Sequence, residues 1–356
     1  MKQKYLKYLI DPVDGSSFDK LIIFKKNSEE IIDGVLCSNK NWYPIVGGIP
    51  RILVADQKIE ILQRNRKFLE RYGKKMPNNV VAEWKMAIKK IKNLSKFEDH
   101  QRKTADSFAY EWKNIYKENN FEKQNYLHFI GPFLGEGDLK GKKIVDIGCG
   151  SGRFTKWPAM IGAEVVIGVD LGESVEAAYK LTKNFDNVCI VQGDIYNIPV
   201  NSIFDIAYSI GVLHHLPKPK EGFLSLLKVL KKGGKMLIWV YSRRNNNRAL
   251  YFYEPLRAIS RKIPKPILYK LCYIPALAVH LINWFTRFFN IKNAIFSYYG
   301  NFSFNMKLND AFDVLATPKS NYYYFEEIEK WFSEAKLKKI KSFEHPEAGI
   351  TCVGEK

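Results

Sequence analysis

Residues 144–154 read Ile-Val-Asp-Ile-Gly-Cys-Gly-Ser-Gly-Arg-Phe, and the fold follows from them. A short apolar run reaches Asp146 and passes into Gly148, Gly150 and Gly152. Glycines spaced this way allow positive φ and bring a ligand close to the backbone. Alone, the pattern also suits an ordinary strand-to-helix turn or a dinucleotide site. The text on either side narrows it. VVIGVD closes on Asp170, 24 residues after Asp146. A third run ends in QGD at Asp194, and a fourth, FDIAYSI, leads into GVLHHL. EGFLSLLKVLKK then has helical texture, and KMLIWVY is a fifth strand-like run. Alternating strands and helices predict a parallel sheet with crossover helices.

The chain has 356 residues, 46% hydrophobic and 26% charged, the balance of a globular protein of one large or two ordinary domains. Five cysteines, at 37, 149, 189, 272 and 352, form no close pair and fit a reducing, cytoplasmic setting. MKQKYLKYLIDPVDG has no apolar core of signal-peptide length. The greasiest stretch, Ile263 to Phe289, is broken by Lys265, Lys270, His280, Arg287 and prolines 264, 266 and 275, and reads as not spanning a membrane. The formal charge is +19 and invites a nucleic-acid reading. Its placement points elsewhere: Lys218 to Lys307 holds 17 Lys and Arg against two acids, Glu221 and Glu254.

The order of motifs closely resembles the class I, seven-strand S-adenosylmethionine (SAM)-dependent methyltransferases. VDIGCGSG matches that family's first motif, and GVLHHLPKPKEGFLSLLKVLKKGGKMLI matches its later ones. The resemblance covers about residues 105–241 and the closing strands at 337–354. It implies an α/β, doubly wound, seven-strand Rossmann-like sheet. SAM is then the cofactor and S-adenosylhomocysteine (SAH) the product. Gly148, Cys149 and Gly150 fall beside the methionine part, with Asp146 organising the turn or approaching the amino group. Asp170 takes the ribose hydroxyls, for which a carboxylate has the acceptors. Asp194 faces the adenine amino group, Ile195 and Leu171 lie against the ring, and Ile210 lines the pocket near the sulfonium. DSFAYEWKNIY, Asp106 to Tyr116, resembles a capping segment of bacterial members, with Tyr110 and Trp112 as lid contacts.

Residues 9–53 resemble a small zinc-ribbon-like module found beside or fused to methyltransferases. The zinc form carries two Cys pairs. Here the first pair reads Asp11-Pro-Val-Asp14 and the second Cys37-Ser-Asn-Lys40, so no zinc and no other metal is expected. The expected plan is therefore this degenerate β module over 1–55, a helical linker and cofactor cap over 56–130, and a SAM-binding core over 131–242. A basic, aromatic helical cap follows over 243–320, and 321–356 closes the core.

Methyl transfer from a sulfonium needs chiefly alignment and a dry pocket. A hydroxyl acceptor adds a general base. His214, His215, Tyr241 and Asp313 are the catalytic candidates, with Arg243, Asp310 and Tyr322 to Tyr324 nearby in the chain. Residues 243–307 hold 11 Lys and Arg, one Glu and 14 aromatics. Three roles compete: a lid selecting an anionic small-molecule or glycan acceptor, contact with an anionic membrane, and RNA binding, in that order. The expectation is a cytoplasmic methyltransferase, peripheral at the inner membrane face if the second role holds. It acts on oxygen of a small-molecule, sugar or lipid-linked acceptor. The alternatives are an RNA methyltransferase and a SAM-binding partner without turnover.

Overall fold

The computed structural model describes residues 1–90, 96–114, 122–131, 133–244, 251, 254–289, 303–317, 320–346 and 349–356. Its centre is a run of short, Val- and Ile-rich strands. These are β5 (Lys143–Ile147), β6 (Val165–Asp170), β7 (Val188–Gly193), β8 (Phe204–Ile210) and β9 (Leu230–Tyr241), all parallel. An antiparallel hairpin, β10 (Lys338–His345) and β11 (Gly349–Glu355), finishes the sheet, with β11 against β9. The order β7-β6-β5-β8-β9-β11-β10 is a seven-strand, doubly wound α/β arrangement. It reverses direction between β5 and β8, where ligands bind in such sheets.

Both faces of the sheet are covered, as parallel strands require. In β6, Val165, Ile167 and Val169 enter one core and Val166 the other, because successive side chains alternate. Helices α7 (Arg153–Ile161), α8 (Ser174–Thr182) and α9 (Pro219–Val229) supply the crossovers, and α14 (Phe325–Glu334) precedes the hairpin.

The N-terminal strands do not stand apart from this sheet. β1 (Lys20–Asn27), β2 (Glu30–Cys37), β3 (Trp42–Val46) and β4 (Ile49–Ile52) form an antiparallel meander. β4 then pairs parallel with β7 through Arg51 and Ile52, extending the sheet to 11 strands. Arg51 secures the junction: it donates to Gln192 Oε1 at 2.9 Å and pairs with Glu176. The boundary expected at residue 55 thus follows a strand that already belongs to the main sheet.

Asp11 ties together the turns that lead into and join the strands of the meander. Its carboxylate accepts from Tyr43 OH at 2.8 Å, Asn41 Nδ2 at 2.8 Å, Ser38 Oγ at 2.5 Å and the Val13 N–H at 2.9 Å. Asp14 bonds Ser16 locally. Among the described residues, no group of three His, Cys, Asp or Glu is placed to hold a metal. Asp11→Ala strands the buried Tyr43 hydroxyl and removes the acceptor of the half-buried Asn41 amide, and an unsatisfied buried donor costs about 1–3 kcal/mol. Urea unfolding is expected to show a loss of about 3 kcal/mol; an unchanged midpoint contradicts this role.

IEILQRNRKFLERYGKK is helical as its periodicity predicts, but it divides at Asn65 into α1 (Ala55–Arg64) and α2 (Arg66–Tyr72). The Asn65 amide bonds the Ile61 carbonyl, one of the last carbonyls of α1, and Asn65 leaves the helical region at ψ 30°. With α3 (Asn78–Lys89), these helices bury Phe68, Tyr72 and Trp84 against Val35 and Trp42 of the meander. Helix α4 (Lys96–Asn114) lies beside α8 and reaches over the sheet, followed by α5 (Glu122–Ile130) and α6 (Glu136–Leu139). The insertion contributes α10 (Glu254–Ser260), α11 (Lys265–Leu271), α12 (Tyr273–Phe288) and α13 (Phe304–Ala316). Residues 290–302 of the expected cap, and Ile115 and Tyr116 of the expected capping segment, lie outside the described residues.

Candidate active site

The glycine turn after β5 occupies the switch point. Gly148 has φ +81°, and a Cβ there would come within 2.3 Å of Val212 Cγ2. Only glycine fits both the backbone and the space. The N–H groups of Gly148 and Cys149 donate to the Val169 carbonyl at 2.7 and 3.1 Å, tying the turn to β6. Cys149 is buried against Gly168, and burial raises its thiol pKa, so it is a packing group. Gly150 is overlain by Trp112 of α4.

Asp146 is buried and accepts from Thr155 Oγ1 at 2.7 Å, joining β5 to α7. Burial lifts its carboxyl to about 7 despite that bond. It therefore braces the turn from beneath. Asp170 closes β6 and engages the turn directly. Oδ2 accepts from the Gly150 N–H at 2.9 Å; Oδ1 accepts from the Gly172 N–H at 2.8 Å and Ser174 Oγ at 2.7 Å. Burial raises its pKa, opposed by these three bonds. A carboxylate has about four acceptor sites, so capacity remains for a ligand hydroxyl. Leu171 is half-buried beside it, and its carbonyl accepts from Gln192 Nε2.

Asp194 follows β7 and is almost fully buried. Its carboxylate accepts from Gln101 Nε2 of α4 at 2.6 Å, Gln57 Nε2 of α1 at 3.1 Å and the Tyr196 N–H at 3.1 Å. Burial raises its pKa against these bonds. The amides of Gln57 and Gln101 were not anticipated, because nothing local marks a glutamine on a helix as reaching a strand end far along the chain. Ile195 lies in the core that α9 covers, and Ile210 is buried at the end of β8. Tyr110 packs its ring on Phe312 of α13, 5.6 Å between centroids, within the cap cluster. Of the two expected lid aromatics, Trp112 meets the glycine turn and Tyr110 faces the cap.

The four catalytic candidates gather after β8 and β9. His214 sits in a 3₁₀ turn, Leu213–His215, and is fully buried. Its ring lies 3.9 Å from that of Tyr241 and 4.1 Å from that of His215. The Asn321 N–H donates to the His214 carbonyl at 2.7 Å and fixes the turn. Neither imidazole nitrogen of His214 has a hydrogen-bond partner among the described residues. Burial, then the charges of His215 and Arg257, hold its pKa well below the usual imidazole value, so the ring is neutral near pH 7. His215 stands within 3.3 Å of Ser320 Oγ and against Phe108 of α4. The Tyr241 hydroxyl is raised well above its usual range by burial and by Asp313. Burial also raises Asp313, which accepts from Thr317 Oγ1 at 3.0 Å.

Two further groups frame this space. Glu111 of α4 is buried, accepts from Asn309 Nδ2 at 2.8 Å, and is raised well above the usual range by burial and Asp313. Arg257 of α10 is 4% exposed; it bonds Glu254 at 2.6 Å, Ser320 Oγ at 3.1 Å and Tyr322 OH at 3.2 Å. Arg243 lies over the Tyr324 ring, away from the His214 cluster's contacts.

Residues 145–238 match the methyltransferase domain family. Over these residues the chain carries a methyltransferase domain. It is 29% identical over 140 residues to a tRNA U34 carboxymethyltransferase of Hydrogenovibrio crunogenus, covering 36% of this chain and 40% of that one. It is also 29% identical over 154 residues to a ubiquinone biosynthesis O-methyltransferase of Acinetobacter baumannii, covering 39% and 62%. This chain spans less than two thirds of the length of either relative. Among solved structures, magnesium protoporphyrin IX methyltransferase of Synechocystis with bound SAM matches with TM-score 0.44 and 12% identity, over 75% of this chain and all of that one.

Proposed function

We propose that this protein binds SAM over the glycine turn and methylates an acceptor oxygen, with His214 as general base. The observation that carries the reading is the His214 imidazole: buried, neutral and without a partner on either nitrogen among the described residues, two residues along from Val212, which packs on the glycine turn at Gly148.

The residues at the turn suit SAM. Ser151 Oγ on the turn, Gln57 Oε1 beside Asp194 and Thr104 Oγ1 on α4 are buried polar atoms with no partner among the described residues. Such atoms are costly unless a ligand or water satisfies them. Gly148, Cys149 and Gly150 would hold the methionine part, with Asp146 bracing them, and Asp170 the ribose. Asp194 would take the adenine amino group once Gln101 Nε2 releases it, with Leu171, Ile195 and Ile210 as the apolar surround. Bound there, SAM supplies an electrophilic methyl group and leaves as SAH. His214 takes the acceptor's hydroxyl proton as the oxygen forms its new bond to carbon. Trp112, Phe108 and the raised carboxyls of Glu111 and Asp313 keep the space poor in water and in net negative charge.

The acceptor is a small-molecule, sugar or lipid-linked hydroxyl compound, favoured as an anion by the basic cap. RNA does not rank below it, as the sequence alone suggested. The names of the relatives divide between tRNA and a ubiquinone precursor pathway, which supports both classes equally. SAH release is the test, with hydroxylated metabolites, glycolipids and total tRNA as acceptors. Turnover with hydroxyl compounds is expected; turnover with tRNA alone overturns the small-acceptor reading. Asp170→Ala is expected to weaken SAM by about 1.5–3 kcal/mol, the value of a hydrogen bond to a charged group. Wild-type affinity in calorimetry with this variant removes the ribose assignment.

A further inference from the structure

The cap turns its large apolar side chains the wrong way for a protein meeting only water. In an amphipathic helix of a soluble domain, the large apolar residues face the core. In α11 and α12 the inward positions are Leu268, Cys272 and Ala276, which pack on Leu308, Phe312 and Ala316 of α13. The outward positions carry Ile267, Leu271, Ile274, Leu281, Phe285 and Phe288, all exposed. Their spacing of three, four or seven residues makes them one stripe. Trp284 joins it at 63% exposed, Ile274 reaches 69% and Phe288 71%. A contiguous apolar face of this kind marks an interaction surface.

The charge around the stripe selects the partner. Between Glu254 and Asp310 the chain has eight Lys and Arg and no acid. Arg261, Lys262 and Lys270 are exposed at the N-terminal end of the stripe. An exposed apolar and aromatic face with these cations at one end matches an anionic lipid surface. The segment Lys265–Thr286 is long and apolar enough to cross a membrane by length and composition. Its inward face, however, is taken by α13, so only one side is free for lipid.

We propose that the outer face of α11 and α12 docks peripherally on an anionic bilayer, with Trp284 and Phe288 inserted among the acyl chains. The inference does not rest on methyl transfer, because docking is read without SAM.

Flotation with vesicles of phosphatidylglycerol and phosphatidylcholine tests it against pure phosphatidylcholine vesicles. The protein is expected to float with the anionic vesicles and at least tenfold less with the neutral ones, with binding weakened at high salt. Ile274→Ser combined with Leu281→Ser, Trp284→Ser and Phe288→Ser is expected to reduce flotation at least tenfold with an unchanged circular dichroism spectrum. Should that variant misfold, brominated phosphatidylglycerol must still quench the wild-type tryptophan emission, and Trp284→Phe must lose most of the quenching. No flotation and no quenching overturns the proposal. So does a wild-type dimer that does not float and that the quadruple variant dissociates, which assigns the face to a second copy. A tRNA gel shift abolished by the same variant, without flotation, assigns it to RNA.

Discussion

His214→Ala is expected to lower kcat by about 10²–10⁴-fold, the usual contribution of a general base, with SAM affinity nearly unchanged. The argument rests on the state of the ring. A buried imidazole with neither nitrogen satisfied is costly in a folded protein. It is tolerable where an acceptor hydroxyl becomes the partner. Burial penalises the imidazolium, so the folded pKa lies well below 6.5 and the ring is in its basic form across neutral pH. Turnover should therefore be flat near pH 7 and fall on the acid side with a midpoint below 6.5. His214→Ala should lose that limb along with most of the rate. Stability has the same sign. The folded protein binds fewer protons at this site than the unfolded chain below pH 6.5, so stability falls as pH drops through that value. A variant with wild-type kcat and the same acid limb removes His214 from the chemistry.

Gly148→Ala is expected to destroy the turn. Its φ of +81° costs an L-residue about 1–2 kcal/mol. Overpacking costs about 1–3 kcal/mol more, because the new methyl meets Val212 Cγ2 at 2.3 Å. Together these amount to about 2–5 kcal/mol, a loss of SAM affinity of at least thirtyfold or a lowered Tm. Val212→Ala in the same chain relieves the contact but leaves φ as it was, so it should recover only part of the loss. Calorimetry and thermal melts read both variants. A Gly148→Ala protein with wild-type affinity and wild-type Tm contradicts the close packing at this turn.

What could be read in advance was what depends on local pattern. The parallel strands β5 to β8 were legible because both their faces are buried, which leaves text rich in Val and Ile. Gly148 and Asp170 were legible because a strand end and a turn lie together in the chain. His214, His215 and Tyr241 were legible as neighbours because they end adjacent strands. The β4–β7 junction was not, since a parallel ladder of two residue pairs leaves no signature. Nor was the cover by α4, where Gln101, Glu111 and Trp112 meet residues distant in sequence. Tyr110 and Trp112 stand two residues apart, and only the packing decides which meets the glycines. In the cap, composition disclosed the aromatics and the basic charge. It could not disclose that Cys272 and Ala276 face inward while Trp284 and Phe288 face out, because periodicity marks a stripe without naming its partner.

The central claim is that the glycine turn and Asp170 form a SAM site, and calorimetric titration of the wild-type protein with SAM and with SAH tests it most directly. The account predicts saturable binding of both at one site per chain, weakened at least tenfold by Asp170→Ala. Binding of neither ligand, or binding that Asp170→Ala leaves intact, contradicts it.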